Sequence, residues 1–175
     1  MPIDEAARFV PVRIAVLTVS DTRGPAEDTS GDALVERLTA AGHVLADRAI
    51  LKDDAQAIVA QLHAWIDDEA IDCVITTGGT GVTGRDVTPE ALERVADKMI
   101  PGFGELFRWL SFQTIGTSTV QSRASACVAR GTYIFALPGS IGAVRDGWDG
   151  ILASQLDSRH KPCNFVELMP RLRER

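Results

Sequence analysis

Apolar positions along the chain follow two rhythms, short unbroken runs and longer stretches with helical spacing. Val12–Val19 is a run rich in β-branched residues, which predicts a buried strand ended by Ser20-Asp21. A polar loop with Gly24 and Pro25 follows. Ser30 then stands where a cap is expected for a helix running to about Ala41, with Leu34, Leu38 and Ala41 on one face and Gly42 just past its end. Val44–Leu51 reads as a second strand, more polar and so nearer a sheet edge. Asp53-Asp54 precede an amphipathic helix carrying Ile58, Leu62, Trp65 and Ile66, and Cys73–Thr77 is a short apolar strand.

Beyond that strand, Thr88 as cap, Pro89 at the first helical position and Glu90 in the first turn predict another helix, with Leu92, Val95 and Met99 buried. Pro101-Gly102 break the chain, and Phe103, Leu106, Phe107 and Leu110 mark the helix that follows. Val120–Val128 reads as helical, Thr132–Leu137 as a strand stopped by Pro138-Gly139-Ser140, and Val144, Trp148, Ile151 and Leu152 as a last helix before a loop-like tail from Asp157. Strands and helices alternate, which predicts a three-layer α/β/α domain with a mostly parallel sheet. The 175 residues suit one domain, its core at about 10–157 between a short arm and a tail.

In such a sheet, ligands bind outside the carboxyl ends of the strands. Three strands end in sequence unlike a plain connector: Ser20-Asp21-Thr22-Arg23, Thr77-Gly78-Gly79-Thr80-Gly81 and Pro138-Gly139-Ser140. The glycines allow a sharp turn whose N–H groups form an anion-binding concavity, although the same turn would also serve as a strand–helix connection. No Gly-Lys-Ser/Thr follows it, and its spacing is not that of a dinucleotide fingerprint. Asp86 lies beside the turn, where a carboxylate next to a phosphate calls for a cation such as Mg²⁺ between them. Asp53 and Asp54 belong to the same sheet edge. Arg85 and Arg123 are candidate anion clamps, and Ser118, Ser122 and Ser140 are candidate hydrogen-bond donors or helix caps.

The net charge of −6 argues against nucleic acid and requires any anion site to be positive locally. His43, His63 and His160 fall in helix-end, mid-helix and tail contexts, and no Ser-His-Asp arrangement emerges. Cys73, Cys127 and Cys163 read as buried structural thiols rather than metal or redox groups, because no CxxC occurs. A polar N-terminus and the lack of a long apolar stretch predict a cytoplasmic protein without a membrane contact.

The runs Ile-Ala-Val-Leu-Thr-Val-Ser-Asp-Thr-Arg, Asp-Thr-Ser-Gly, Thr-Thr-Gly-Gly-Thr-Gly with Arg-Asp-Val-Thr-Pro-Glu-Ala, and Leu-Pro-Gly-Ser resemble the MoaB/MogA family of molybdenum-cofactor biosynthesis proteins. The resemblance covers roughly residues 10–165, and Phe107–Arg123 with Lys-Pro-Cys-Asn-Phe is more similar to the MoaB branch. It implies a molybdopterin-binding fold, assembly as a homotrimer or homohexamer, and contacts with other cofactor-biosynthesis proteins. It also implies a ligand, molybdopterin, whose terminal phosphate is adenylylated with ATP and Mg²⁺. The two aspartates associated with that activity fall on Asp86 and, by local register, on Asp53, with Asp54 one position away. Ser20, Asp21, Thr77–Gly81, Ser118, Arg123 and Pro138–Ser140 are then expected to bind substrate. A non-catalytic molybdopterin-binding or scaffold paralogue is the alternative that the resemblance leaves open.

Overall fold

The computed structural model describes residues 3–174. Strand β1 (Arg13–Val19) leads through a loop to helix α1 (Thr29–Ala40) and strand β2 (Val44–Leu51), and helix α2 (Ala55–Ile66) leads to strand β3 (Cys73–Thr77). Helix α3 (Thr88–Val95), the short strand β4 (Lys98–Met99) and helix α4 (Pro101–Ile115) follow. Strands β5 (Ser125–Ala129) and β6 (Thr132–Leu137) form a hairpin, after which come α5 (Ile141–Gly147), a π-helical turn, α6 (Ala153–Gln155) and α7 (Phe165–Leu168). The six strands make one sheet in the order β2-β1-β3-β6-β5-β4. β2, β1, β3 and β6 run parallel, whereas β5 and β4 are antiparallel to their neighbours.

Side chains of β1 alternate between two cores. Ile14 and Val16 join Leu34, Leu38, Phe103, Phe107, Val144 and Trp148 on the α1/α4/α5 face. Ala15, Leu17 and Val19 join Ile58, Leu62, Trp65, Leu92 and Val95 on the α2/α3 face. A strand covered on both sides reads as nearly continuous apolar sequence, which accounts for the run Ile14–Leu17 with Val19, while Arg13 is exposed at the start of the strand. The outer strand β2 is exposed along its first half.

Several local expectations are corrected. Helix α1 is capped by Asp28, whose side chain accepts from Gly31 N, while Ser30 Oγ accepts from Arg23. Thr88 does not cap α3; its hydroxyl donates to Gly78 O. Pro101 starts α4 rather than breaking the chain, because its missing N–H is no loss in a first turn. Met99 leaves the α3 face for β4 and is exposed. Ala41, likewise, is exposed at the end of α1. Residues 120–128 do not form one helix: a 3₁₀ stretch ends at Gln121 and β5 follows from Ser125. The small residues of Ser125–Ala129 permit a helix, but pairing with β6 on a strand buried from Ala126 onward overrides that weak preference. Cys73 and Cys127 are buried, and burial pushes the Cys127 thiol up to about 12, whereas Cys163 is exposed.

Candidate functional site

The helices that follow β1 and β3 depart onto opposite faces of the sheet, so a crevice opens between these adjacent strand ends. The glycine turn is built into it. Gly78 has φ +107°, and a Cβ there would stand 2.0 Å from Val19 O, so only glycine lets β3 turn this close to β1. Gly79, at φ +65°, would bring a Cβ to 2.4 Å from Thr88 Oγ1 and 2.9 Å from Asp53 Oδ1. Gly78 N donates to Leu137 O, Thr88 N to Gly79 O, and Thr77 Oγ1 to Pro138 O, locking the turn to α3 and to the end of β6. Gly139 passes within van der Waals reach of Gly78, its own would-be Cβ lying 3.1 Å from Gly78 Cα.

Two adjoining cavities flank the turn. The polar one, about 340 Å³, is lined by Ser20, Asp21, Asp53, Gly78, Gly79, Thr80, Gly81, Asp86, Pro138 and Gly139 of the expected residues. The larger, about 460 Å³, shares Thr80, Gly81 and Pro138 and adds Ser118 and Ser140 together with Phe107 and Ile115. The three strand ends therefore converge, as the parallel order requires. Thr77 lies buried beneath the turn rather than on a cavity wall. Ser20 Oγ accepts from the N–H groups of Thr22 and Arg23, shaping the β1 loop, and Ser140 Oγ caps α5 by accepting from Ala143 N.

Asp53 and Asp54 are told apart. Asp54 caps α2, accepting from Gln56 N and Ala57 N, while the Asp53 carboxylate faces the glycine turn. Burial, and then the charges of Asp21 and Asp86, push Asp53 above the usual carboxylate range. On Asp86 burial acts in the same direction but is outweighed, so the group lies below that range. Hydrogen bonds from the Thr83 hydroxyl and N–H, at 2.6 and 2.8 Å, hold its anion, and the Gly81 backbone and the Arg123 charge act in the same direction. Arg123 lines neither cavity. Its Nε donates to Gly81 O (2.6 Å), its Nη2 to Asp86 O (2.7 Å), and Nη1 pairs with Glu90, so it buckles the two ends of the 81–86 loop. Three of its five N–H donors are thus engaged in bracing the loop, a role that the expectation of an anion clamp did not include.

Sequence reasoning missed several cavity residues. Arg23 lies in the quoted Ser-Asp-Thr-Arg end, so its signal was present. Ser111, whose hydroxyl donates to Asp146 Oδ2 (2.6 Å), and Arg145 reach the larger cavity from α4 and α5, and nothing in local spacing marks them. None of the three histidines lines either cavity, and His43, pushed down by burial, accepts from Val12 N through Nδ1. No helix among the described residues is long and apolar enough to cross a membrane, and none of their acidic, His or Cys side chains form a ready-made cluster of three for a metal.

Residues 15–158 match the sequence family described as "Probable molybdopterin binding domain". Molybdenum cofactor biosynthesis protein B of Escherichia coli strain K12 is 52% identical over 160 residues, covering 91% of this chain and 94% of that protein. A crystal structure of a molybdenum cofactor biosynthesis protein B superposes with a TM-score of 0.85 at 38% identity, over 95% of this chain and 98% of the other. The tungsten cofactor synthesizing protein MoaB of Pyrococcus furiosus superposes with a TM-score of 0.78 at 34% identity, over 94% and 98%.

Proposed function

The chain belongs to the MoaB/MogA family of molybdenum-cofactor biosynthesis proteins, in its MoaB branch, and from that membership we propose that it binds molybdopterin and adenylylates its terminal phosphate with Mg-ATP. The observation that carries this reading is the convergence of two differently tuned carboxylates, Asp53 and Asp86, on one glycine turn at the ends of three parallel strands. The polar cavity suits phosphates and the larger, partly apolar one a flat heterocycle.

In the proposed reaction a phosphate oxygen of molybdopterin bonds to the α-phosphorus of ATP as the α–β anhydride bond breaks and pyrophosphate leaves. No protein nucleophile is required, so the chain's work is positioning and charge neutralisation. Backbone N–H groups of the turn supply fixed donors, and Thr83 and Gly81 hold Asp86 ionised beside them. The donor set fits Mg²⁺. Asp53 carries a carboxyl group repelled by Asp21 and Asp86, whose ionisation a cation would favour, and Asp86 is an oxygen ligand already ionised. Bound to these two residues and to substrate phosphates, the ion would neutralise charge developing during transfer.

As a cytoplasmic biosynthetic protein of this branch, the chain would work as a trimer or hexamer alongside other proteins of the route. The outward face of α4 supports assembly. Phe103 and Phe107 turn inward, while Leu106, Trp109, Phe112 and Ile115 are exposed at 42%, 63%, 51% and 53%.

Incubation of the purified protein with molybdopterin, ATP and Mg²⁺ should yield an adenylylated pterin detectable by mass spectrometry. Asp86→Asn should lose turnover by about a hundredfold or more while keeping pterin binding. Retained binding with no product in the wild type would instead favour the non-catalytic paralogue.

A further inference from the structure

The polar cavity holds the carboxylates of Asp21, Asp53 and Asp86 but only two cationic side chains, Arg23 and Arg85. These two are the side chains of its lining that can offer an anion a positive charge. Arg23 is committed: Nη1 donates to Ser30 Oγ (3.1 Å) and Nη2 to Gly139 O (2.9 Å), tying the β1 loop to the end of β6. Arg85 contacts a single group. Its Nε and Nη2 donate to the two Asp21 carboxylate oxygens at 2.8 and 2.6 Å. The side chains are 66% and 35% exposed, a setting in which an ion pair holds weakly and is readily exchanged.

The surroundings of Arg85 favour movement of that one group. Val82 is 65% exposed, and a Cβ on Gly84 would meet nothing within 4 Å, so the middle of the 82–86 loop is unpacked. Its two ends are fixed, because Arg123 binds Gly81 O and Asp86 O. Arg85 is thus a swinging side chain on a fixed base. The fork it offers to Asp21 is the one that a phosphate takes, two parallel N–H donors to two oxygens of one anion.

Resting on the reading that this cavity receives a phosphorylated ligand, we propose that Arg85 is a partner-exchanging anion clamp, held by the Asp21 carboxylate and handed over to a ligand phosphate on binding. Asp21 acts as an internal competitor that lowers affinity for stray anions. The exchange also releases its carboxylate at the moment the ligand arrives.

The test is a double-variant cycle by calorimetric titration of the full chain with inorganic tripolyphosphate and, separately, with inorganic phosphate, in the wild type, Asp21→Asn, Arg85→Gln and the double variant. Melting curves of each variant confirm folding. Asp21→Asn should tighten anion binding about fivefold where Arg85 is present, and less than about twofold in the Arg85→Gln background. Arg85→Gln alone should weaken binding. The anion that shows the coupling tells whether the clamp serves a polyphosphate, as in ATP, or a phosphate monoester. Equal tightening in both backgrounds would mean that Asp21 acts only through its own charge, and would overturn the proposal. Absence of anion binding in every variant would overturn it too. No pterin or turnover enters the measurement, so a failed adenylylation assay beside an intact coupling would remove the enzyme reading and leave the clamp.

Discussion

Asp53 approaches the glycine turn at Gly79 and Asp86 at Gly81, and the two differ in what they touch. The sign of each shift sets a stability prediction. Asp53 is raised, so the folded state holds its proton more tightly than the unfolded chain, and its ionisation costs stability as pH climbs past the ordinary carboxylate range. Asp86 is lowered, so it adds stability above that range and loses it as pH falls through its folded value. Asp53→Asn should therefore raise the melting temperature at pH 7 by roughly 2 °C and lose most of that gain near pH 4. Asp86→Asn should lower it at pH 7, since a neutral amide accepts the two Thr83 donors more weakly than the carboxylate does. Thermal melts at the two pH values check both signs, and a stabilised variant that no longer turns over would fit a carboxylate kept strained for function.

At the scale of elements, the 81–86 loop depends on a residue forty positions away. Arg123 gives one guanidinium to Gly81 O, Asp86 O and Glu90, and its own N–H donates to Thr80 O at 2.9 Å. A lysine offers a point charge in place of a planar fork, so Arg123→Lys should cost about 2 kcal/mol in denaturant unfolding and weaken pterin binding, although Arg123 lines neither cavity. The same residue shows what local sequence carries and what it does not. Gly78, Gly79 and Asp86 were legible because positive φ, close strand approach and a carboxylate by a turn leave marks in adjacent residues. β1, β3 and β6 were legible because strands buried on two faces are mostly apolar and β-branched along their length. The bracing by Arg123 was not legible, since a surface arginine and a brace look the same in sequence until the partners are seen. β5 was misread for a related reason. Its small residues suit helix and strand alike, and the decision lies in β6 and in the tight Arg130-Gly131 turn, where Arg130 adopts φ +48° and Gly131 φ +93°.

At the scale of the molecule, the unresolved burial lies on α4. Trp109, Phe112 and Ile115 recur every third position along the outside of the helix, and Val120, at 77% exposure, extends the apolar surface beyond it. A monomer seldom leaves so contiguous an apolar face in water. The face also abuts the site, because Ile115, Ser118 and Gln121 line the larger cavity, so assembly over α4 would close in on its rim. Trp109 contributes most to such a contact as a large exposed aromatic, yet it contributes little to the fold of one copy. Trp109→Glu should accordingly keep the wild-type circular dichroism and melting cooperativity while shifting the mass in size-exclusion chromatography with light scattering from a trimer or hexamer toward a single chain. A wild type that runs as one chain at tens of micromolar would sink the assembly reading. An oligomer unchanged by Trp109→Glu would move the contact to another surface. If the variant dissociates and its pterin binding weakens in parallel, the larger cavity owes part of its shape to the neighbouring copy; if binding is unchanged, each copy carries a complete site at the convergence of β1, β3 and β6.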